Sequence, residues 1–185
     1  NPNTGGDTWS TYGYYWAGAV VIDDYAVFGG ESGVLLSVDR LTGETVDVYN
    51  LPAGHDIRTS IAYDGDDLYF GVKQGGLVYK VDFDESSGEL GSATSAKIDP
   101  AASETISTPV VHDGRVYVSA STTTGTRAVV GVLNAADLSH IYSVPLAADA
   151  GNATKGHDVL LIVDEANDCV YGYTTHYWTP GSMTC

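Results

Sequence analysis

The chain has 185 residues, of which 43% are hydrophobic and only 17% charged, so it is long enough for one domain with a core and too apolar for a disordered tail. Its net charge of −16 argues against nucleic-acid partners, because an acidic surface repels phosphate groups. Direct membrane insertion is also not expected, since no apolar run approaches the about 20 residues that span a bilayer.

Four apolar runs, each followed by an acidic turn, begin four repeated units. The runs, which we predict to be first strands, are AVVI from Ala19, SIAY from Ser60, PVVH from Pro109 and LLIV from Leu160. A second predicted strand follows each turn: YAVFG from Tyr25, DLYFG from Asp67, RVYVS from Arg115 and CVYGY from Cys169. The predicted units are residues 16–53, 54–103, 104–151 and 152–185, and residues 1–15 precede them as a linker or a closing strand.

The third predicted strands, VLLSVD, LVYKVD and VVGVLN, end in Asp39, Asp82 and Asn134. A turn leads from each of them into a more polar fourth strand, whereas the fourth unit stops inside its third strand. Four-stranded antiparallel units that repeat every 40 to 55 residues or so are typical of β-propeller blades. We therefore predict an all-β propeller of four-stranded antiparallel blades, with about three and a half blades in this chain as part of a larger ring.

The turn after the first of these third strands carries a family resemblance. SVDRLTGE from Ser37 to Glu44, and more loosely Val81-Asp82 with Ser87-Gly88-Glu89, resembles the pyrroloquinoline-quinone-type propeller repeat. That family includes quinoprotein dehydrogenases, an outer-membrane assembly lipoprotein of Gram-negative bacteria and surface proteins that bind no quinone. The resemblance implies the propeller fold. Because the quinone ligands of the family cannot be matched to residues of this chain, we expect no cofactor.

The start of each first strand lies near the central channel of a propeller, where ligands often bind. The residues that alignment of the units places there, called the channel-mouth set, are Arg58, Thr59, Ser107, Thr108, Lys155 and His157. Arg58 and Lys155 are the notable cations, since the chain has only 8 basic residues. The alternative role for these side chains is to satisfy carbonyl groups or acidic turns within the fold.

Aromatic residues cluster near both ends of the chain and form a second candidate surface: Tyr14, Tyr15, Trp16, Tyr177 and Trp178. Exposed Tyr and Trp side chains commonly bind glycans or proteins, because a flat ring gives contact area at little entropic cost. Packing between blades is the alternative. Cys169 and Cys185 are the only cysteines and form either one disulfide bond or two free thiols.

The sequence does not match the motifs for catalysis or metal binding that we compared with it. The acidic stretch from Asp82 to Leu90 has Gly88 one position too late for a calcium loop, which favours a turn that is capped by an aspartate. The chain has no Gly-x-Ser-x-Gly elbow for a serine hydrolase. We therefore expect no catalytic residues and no metal site.

Composition and resemblance together favour a non-enzymatic extracellular scaffold or recognition domain, of the adhesion type, in a bacterial surface or secreted protein. Its expected partners are a protein or glycan ligand, together with further blades or a second chain that completes the ring. One alternative is a protein-assembly factor that docks partner peptides or strands. The other is a fragment of a quinone-dependent oxidoreductase.

Overall fold

The computed structural model describes residues 17–122, 128–146, 160–176 and 179–184, with only the backbone described from residue 173 onward. All regular elements in these ranges are β-strands. They form four antiparallel sheets, called blades 1 to 4, in which neighbours in sequence are neighbours in the sheet. The prediction of an all-β fold built from four-stranded antiparallel units is therefore confirmed. None of the described residues forms a helix that is long and apolar enough to cross a membrane.

Blades 1 and 2 each contain four strands. Those of blade 1 are β1 (Val20–Ile22), β2 (Tyr25–Gly30), β3 (Val34–Asp39) and β4 (Thr45–Asn50). Those of blade 2 are β5 (Ala62–Tyr63), β6 (Asp67–Val72), β7 (Leu77–Asp84) and β8 (Glu89–Lys97).

Blade 3 adds a short strand to the same order, and blade 4 has three strands in the part that the structure describes. Those of blade 3 are β9 (Ala102–Glu104), β10 (Val110–His112), β11 (Arg115–Thr122), β12 (Ala128–Asn134) and β13 (His140–Pro145). β9 lies beside β11, outside the meander of the other four strands. Those of blade 4 are β14 (Leu160–Asp164), β15 (Cys169–His176) and β16 (Thr179–Thr184).

An aspartate or asparagine side chain caps the turn that leads into each fourth strand. In blade 1, Asp39 Oδ1 accepts hydrogen bonds from the amides of Leu41 and Thr42 at 2.9 and 2.8 Å. The following Gly43 has φ 73°, a left-handed conformation that glycine adopts without a steric penalty. The TGE motif thus closes a tight turn.

In blade 2 the capping residue is not the one that the sequence predicts. β7 continues two residues past Asp82 and ends at Asp84, whose Oδ1 accepts a hydrogen bond from the Ser86 amide at 2.9 Å. The register of β7 against β8 shifts between Val81 and Phe83. This irregularity lengthens the strand and moves the capping position to Asp84.

Hydrophobic side chains fill the spaces between successive blades. Between blades 1 and 2 the buried residues include Leu35, Ile57 and Phe70, all at 0% exposure. The layer between blades 2 and 3 is centred on Val118 and Leu133, and that between blades 3 and 4 on Val132 and Leu161. Each sheet therefore buries its faces against its neighbours, which is the arrangement expected of blades.

One buried tyrosine connects blade 2 to both its own first turn and the next blade. The Tyr69 hydroxyl lies 2.9 Å from Asp64 Oδ2 and 3.1 Å from the Ala135 carbonyl oxygen in blade 3. Burial, together with the hydrogen bond and negative charge of Asp64, raises the pKa of Tyr69 far above its ordinary value. The phenol consequently stays protonated and remains a hydrogen-bond donor between the blades.

Candidate functional site

Hydroxyl groups of the channel-mouth set and of the neighbouring Ser60 make hydrogen bonds within and between the blades. Thr59 is fully buried, and its Oγ1 accepts a hydrogen bond from the Gly71 amide at 2.8 Å. Thr108 Oγ1 accepts one from the Ser60 amide at 3.1 Å, and Ser60 Oγ accepts one from the Gly18 amide at 2.9 Å. Blades 1, 2 and 3 are thus linked in series by hydroxyl-to-amide bonds at their inner ends.

Ser107 lies in the same inner layer. It is 2% exposed, and its amide donates a hydrogen bond to Thr105 Oγ1 at 3.0 Å. Thr105 Oγ1 in turn donates to the Ser119 carbonyl oxygen at 2.6 Å. The hydroxyl groups of Thr59, Thr105 and Thr108 thus make hydrogen bonds within the fold. Whether they also bind a ligand stays a prediction.

Arg58 forms an ion pair with Glu31, which lies in the hairpin between β2 and β3 of blade 1. The two side chains are 18% and 13% exposed. Separating an ion pair at this depth would leave two partly buried charges uncompensated, so the pair favours the contact between the two segments. Arg58 therefore fastens blade 2 to blade 1 at the inner end.

Asp56 forms a second bridge between the same two blades. Its Oδ1 accepts a hydrogen bond from the Ser32 amide in blade 1 at 3.1 Å, and its Oδ2 accepts one from Gln74 Nε2 in blade 2 at 2.7 Å. Burial alone would raise the pKa of Asp56. These hydrogen bonds, with the charges of Arg58 and Lys73, outweigh that effect and hold the pKa below its ordinary value.

The lowered pKa of Asp56 predicts a pH-dependent contribution to stability. A carboxylate whose folded pKa lies below its unfolded value stabilises the fold fully above the unfolded pKa of about 3.9, and the contribution is lost as the pH falls through the folded pKa. Urea unfolding at about pH 5 and about pH 3 should therefore show a smaller acid-induced loss in Asp56→Asn than in the native chain. Glu44→Gln, which removes an exposed carboxylate, is the control. Equal losses in the native chain and Asp56→Asn would contradict this role.

Several predicted site residues lie outside the described residues. These are Lys155, His157, Tyr14, Tyr15, Trp16, Tyr177, Trp178 and Cys185. Cys169 is disulfide-bonded, and its pairing with Cys185 stays a prediction. Within the described ranges, no three His, Cys, Asp or Glu side chains are grouped so that they could hold a metal ion.

An open cleft of about 330 Å³ lies between blades 3 and 4. The wall from blade 3 contains Val130 and Val132 of β12 and Tyr142 and Val144 of β13. The opposite wall includes Leu161 of β14 in blade 4. Tyr142 and Val144 are 44% and 43% exposed, whereas Val130, Val132 and Leu161 are buried, so the apolar surface that water contacts is on β13. Exposed apolar patches of this kind commonly mark interaction sites.

Among the described residues, no strand covers β13 in the way that β8 covers the outer strand of blade 1. In blade 1, β4 is covered by β8 of blade 2, and Asp47 Oδ2 accepts a hydrogen bond from the Leu90 amide across this contact at 2.8 Å. Blade 4 has no fourth strand in the described part of the chain, so nothing described there occupies the position opposite β13. Tyr142 and Val144 of β13 line the cleft.

Charged groups surround one end of the cleft. The turn between β14 and β15 contributes Asp164, Glu165 and Asp168, and blade 3 contributes Arg115 and His112. Glu165 is 77% exposed and lies 3.7 Å from His112 Nδ1. Three carboxylates against one arginine and one histidine make this end of the cleft acidic.

Comparison with solved structures identifies the fold. A quinohemoprotein alcohol dehydrogenase, ADHIIG of Pseudomonas putida HK5, matches 85% of this chain with a TM-score of 0.65 and 16% identity. BamB of Moraxella catarrhalis matches 88% of it with a TM-score of 0.58 and 17% identity. The computationally designed Ika4 protein matches 97% with a TM-score of 0.57 and 16% identity. The chain has a β-propeller fold. At these identities the likeness extends to the fold alone.

The propeller spans only part of the natural proteins that it matches. It covers 28% of the ADHIIG chain and 47% of the BamB chain, but 96% of the designed Ika4 chain. No protein-family model matches the sequence. No curated protein matches it either. The predicted β-propeller fold is thus confirmed from structure, and the structures that it resembles include quinohemoprotein dehydrogenases.

Sequence reasoning missed the cleft, although one signal was present. The fourth strand of a blade is expected to be more polar than the others, and β8, ELGSATSAK, follows this rule. β13, HIYSVP, does not, because it carries Ile141, Tyr142 and Val144. An apolar outer strand in an otherwise polar position indicates a surface that contacts something else.

Proposed function

We propose that this propeller is a non-enzymatic recognition domain of a secreted or surface-attached bacterial protein, and that it binds a protein ligand in the cleft between blades 3 and 4. The observation that carries the proposal is the half-exposed apolar surface of β13, which forms one wall of an open cleft. Small concave sites with an apolar lining and a few polar groups at one end are the usual form of binding sites.

The inner ends of the blades support the same proposal. The Thr59 and Thr108 hydroxyls make hydrogen bonds within the fold, and Arg58 is paired with Glu31. Side chains that hold blades together suit a rigid scaffold that presents a surface. The extracellular location is favoured by the net charge of −16 and by the disulfide-bonded Cys169.

Selection from a library of random peptides of about 12 residues tests the proposal, with binding of the selected peptides measured by fluorescence anisotropy. We expect Val144→Asp to weaken binding at least about tenfold, because a charge in an apolar wall opposes burial of an apolar side chain. Leu41→Asp is the matched control, since Leu41 is 76% exposed in a turn of blade 1. Failure to select any peptide, or equal binding to the native chain and Val144→Asp, would overturn the proposal.

The competing proposal is that the domain binds a glycan through the aromatic residues near the two ends of the chain. Binding on a glycan array that Trp178→Ala abolishes and Val144→Asp leaves unchanged would favour that proposal. The oxidoreductase alternative is tested separately by quinone absorbance and by cofactor-dependent dye reduction. Reduction of the dye by the purified chain would replace the recognition proposal with an enzymatic one.

A further inference from the structure

We infer that the contact between blades 2 and 3 is pH-sensitive: as the pH falls, Asp67 takes up a proton that it shares with Asp82, and this proton strengthens the contact. The polar side chains and carbonyl groups that meet there, called the blade 2–3 junction, belong to Asp67, Tyr69, Lys80, Asp82, Ala135 and Ala136. The ligand cleft proposed above lies between blades 3 and 4, so the inference goes beyond that function and its test needs no ligand.

Four polar side chains of blade 2 form a two-by-two patch that faces blade 3. Asp67 pairs directly with Asp82 across β6 and β7, and Tyr69 pairs with Lys80. Tyr69 belongs to the buried layer between blades 2 and 3, as does Val78 on β7. Because every second residue of a strand lies on the same face of a sheet, the other three members of the patch share that face.

Two hydrogen bonds join this patch to the turn between β12 and β13 of blade 3. The Tyr69 hydroxyl lies 3.1 Å from the Ala135 carbonyl oxygen, and Lys80 Nζ donates to the Ala136 carbonyl oxygen at 3.1 Å. Lys80 Nζ also lies 2.7 Å from Asp67 Oδ2. Lys80 is thus divided between Asp67 and blade 3, so a change in the charge of Asp67 acts on a group that holds the two blades together.

The junction contains more negative than positive charge. The carboxyl groups of Asp67 and Asp82 lie within hydrogen-bonding distance of each other, and like charges that face each other across a strand pair are destabilising. Lys80 supplies one positive charge for the two carboxylates. The side chains of Asp67 and Lys80 are only 15% and 16% exposed, so water screens these charges less than it does at the surface. A proton on Asp67 replaces the repulsion with a hydrogen bond to the exposed Asp82.

The other charged groups around the pair also favour uptake of a proton. Asp64 and Asp66 lie in the turn that leads into β6, and Asp137 of blade 3 interacts with Lys80. Three more exposed carboxylates line the open cleft beside the pair: Asp84, Glu85 and Glu89. All of these groups are negative, and a negative neighbour favours the neutral form of a carboxyl group.

The pKa of Asp67 follows from these surroundings. Burial has the largest effect and raises it, the ion pair with Lys80 lowers it, and the charge of Asp64 with the hydrogen bond to Asp82 raises it again, so that it lies above its ordinary value. A carboxyl group of this kind contributes stability that is fully present below its unfolded pKa of about 3.9 and is lost as the pH rises through the folded pKa. This direction is opposite to that of Asp56, whose contribution is lost as the pH falls.

The test follows the carboxyl carbon of Asp67 by NMR as the pH is changed. Asp82→Asn removes the facing charge, and Lys80→Gln removes the cation but keeps a hydrogen-bond donor for Ala136. We expect the titration midpoint of Asp67 to move to lower pH in Asp82→Asn and to higher pH in Lys80→Gln. In the native chain, the carbonyl carbon of Ala136 should shift with the same midpoint as Asp67, because Lys80 contacts both groups.

Glu89→Gln is the matched control, since it neutralises an exposed carboxylate of the same blade. It should leave the Asp67 midpoint nearly unchanged, because salt screens exposed charges. Urea unfolding supplies a second readout. The urea midpoint of Asp82→Asn, relative to that of the native chain, should be highest near about pH 7 and should fall towards about pH 4, where Asp67 is protonated in both. The Asp56 contribution is common to both chains and cancels in this comparison.

Three results would overturn the inference. The first is an Asp67 midpoint at or below about 3.9, the ordinary value for an aspartate. The second is the same Asp67 midpoint in the native chain and in Asp82→Asn, which decides the matter even if Lys80→Gln does not fold. The third is an Ala136 carbonyl carbon that does not shift as Asp67 titrates, because the proton would then have no effect on the contact with blade 3.

Discussion

Replacing Phe70 with alanine should destabilise the protein by about 3–5 kcal/mol, as measured by urea unfolding. Phe70 is 0% exposed and lies in the hydrophobic layer between blades 1 and 2. Its ring stacks on that of Tyr79 with the centroids 5.6 Å apart and the planes 5° from parallel. Truncation leaves a cavity between two sheets, and sheets that are joined through many contacts collapse into it only in part.

Tyr142→Ala is the control for this prediction, because it removes an aromatic ring of similar size that is 44% exposed. We expect a change within about 0.5–1 kcal/mol for this surface substitution. A Phe70→Ala variant that is as stable as Tyr142→Ala would mean that blades 1 and 2 do not pack through this layer.

Replacing Gly131 with alanine should cost about 3 kcal/mol, or prevent folding, because the added methyl group has no room. A Cβ at this position would lie 2.2 Å from the carbonyl oxygen of Ile98 and 2.7 Å from Ile98 Cγ2. Ile98 is 0% exposed in the connection between blades 2 and 3. The oxygen belongs to the backbone, so the clash is relieved only if the connection moves away from β12.

The matched control is Ser143→Thr, which adds one methyl group to the residue that pairs with Gly131 on β13. Ser143 is only partly buried, so the extra methyl group should be accommodated with little change in urea midpoint. Equal stability of Gly131→Ala and Ser143→Thr would contradict the close approach of blades 2 and 3 at this position.

The repeated features were readable in the sequence because they depend on local chemistry. The strand order follows from apolar runs separated by turn residues, and Asp39 with Gly43 closes its turn through bonds that reach three or four residues. The same pattern placed the cap of blade 2 at Asp82. In the structure the cap is Asp84, because a register shift between β7 and β8 lengthens β7. Such a shift is set by the pairing of the two strands, which the residues of the turn do not determine.

The candidate site was less predictable because it depends on contacts between distant residues. The alignment of the units placed Arg58 at the inner end of blade 2, but nothing in the sequence selects Glu31, 27 positions earlier, as its partner. Likewise, the position of Tyr142 beside the cleft depends on how blades 3 and 4 lie against each other. Such properties depend on how the blades pack together, and the composition of a single strand predicts them poorly.

The most direct test of the recognition account is a methyl NMR spectrum of the protein titrated with a selected peptide. The account predicts shifts for the methyl groups of Val130, Val132, Val144 and Leu161, which line the cleft, and none for Ile57 and Val72 at the inner ends of the blades. Shifts confined to Ile57 and Val72 would contradict it and would place binding at the channel mouth instead.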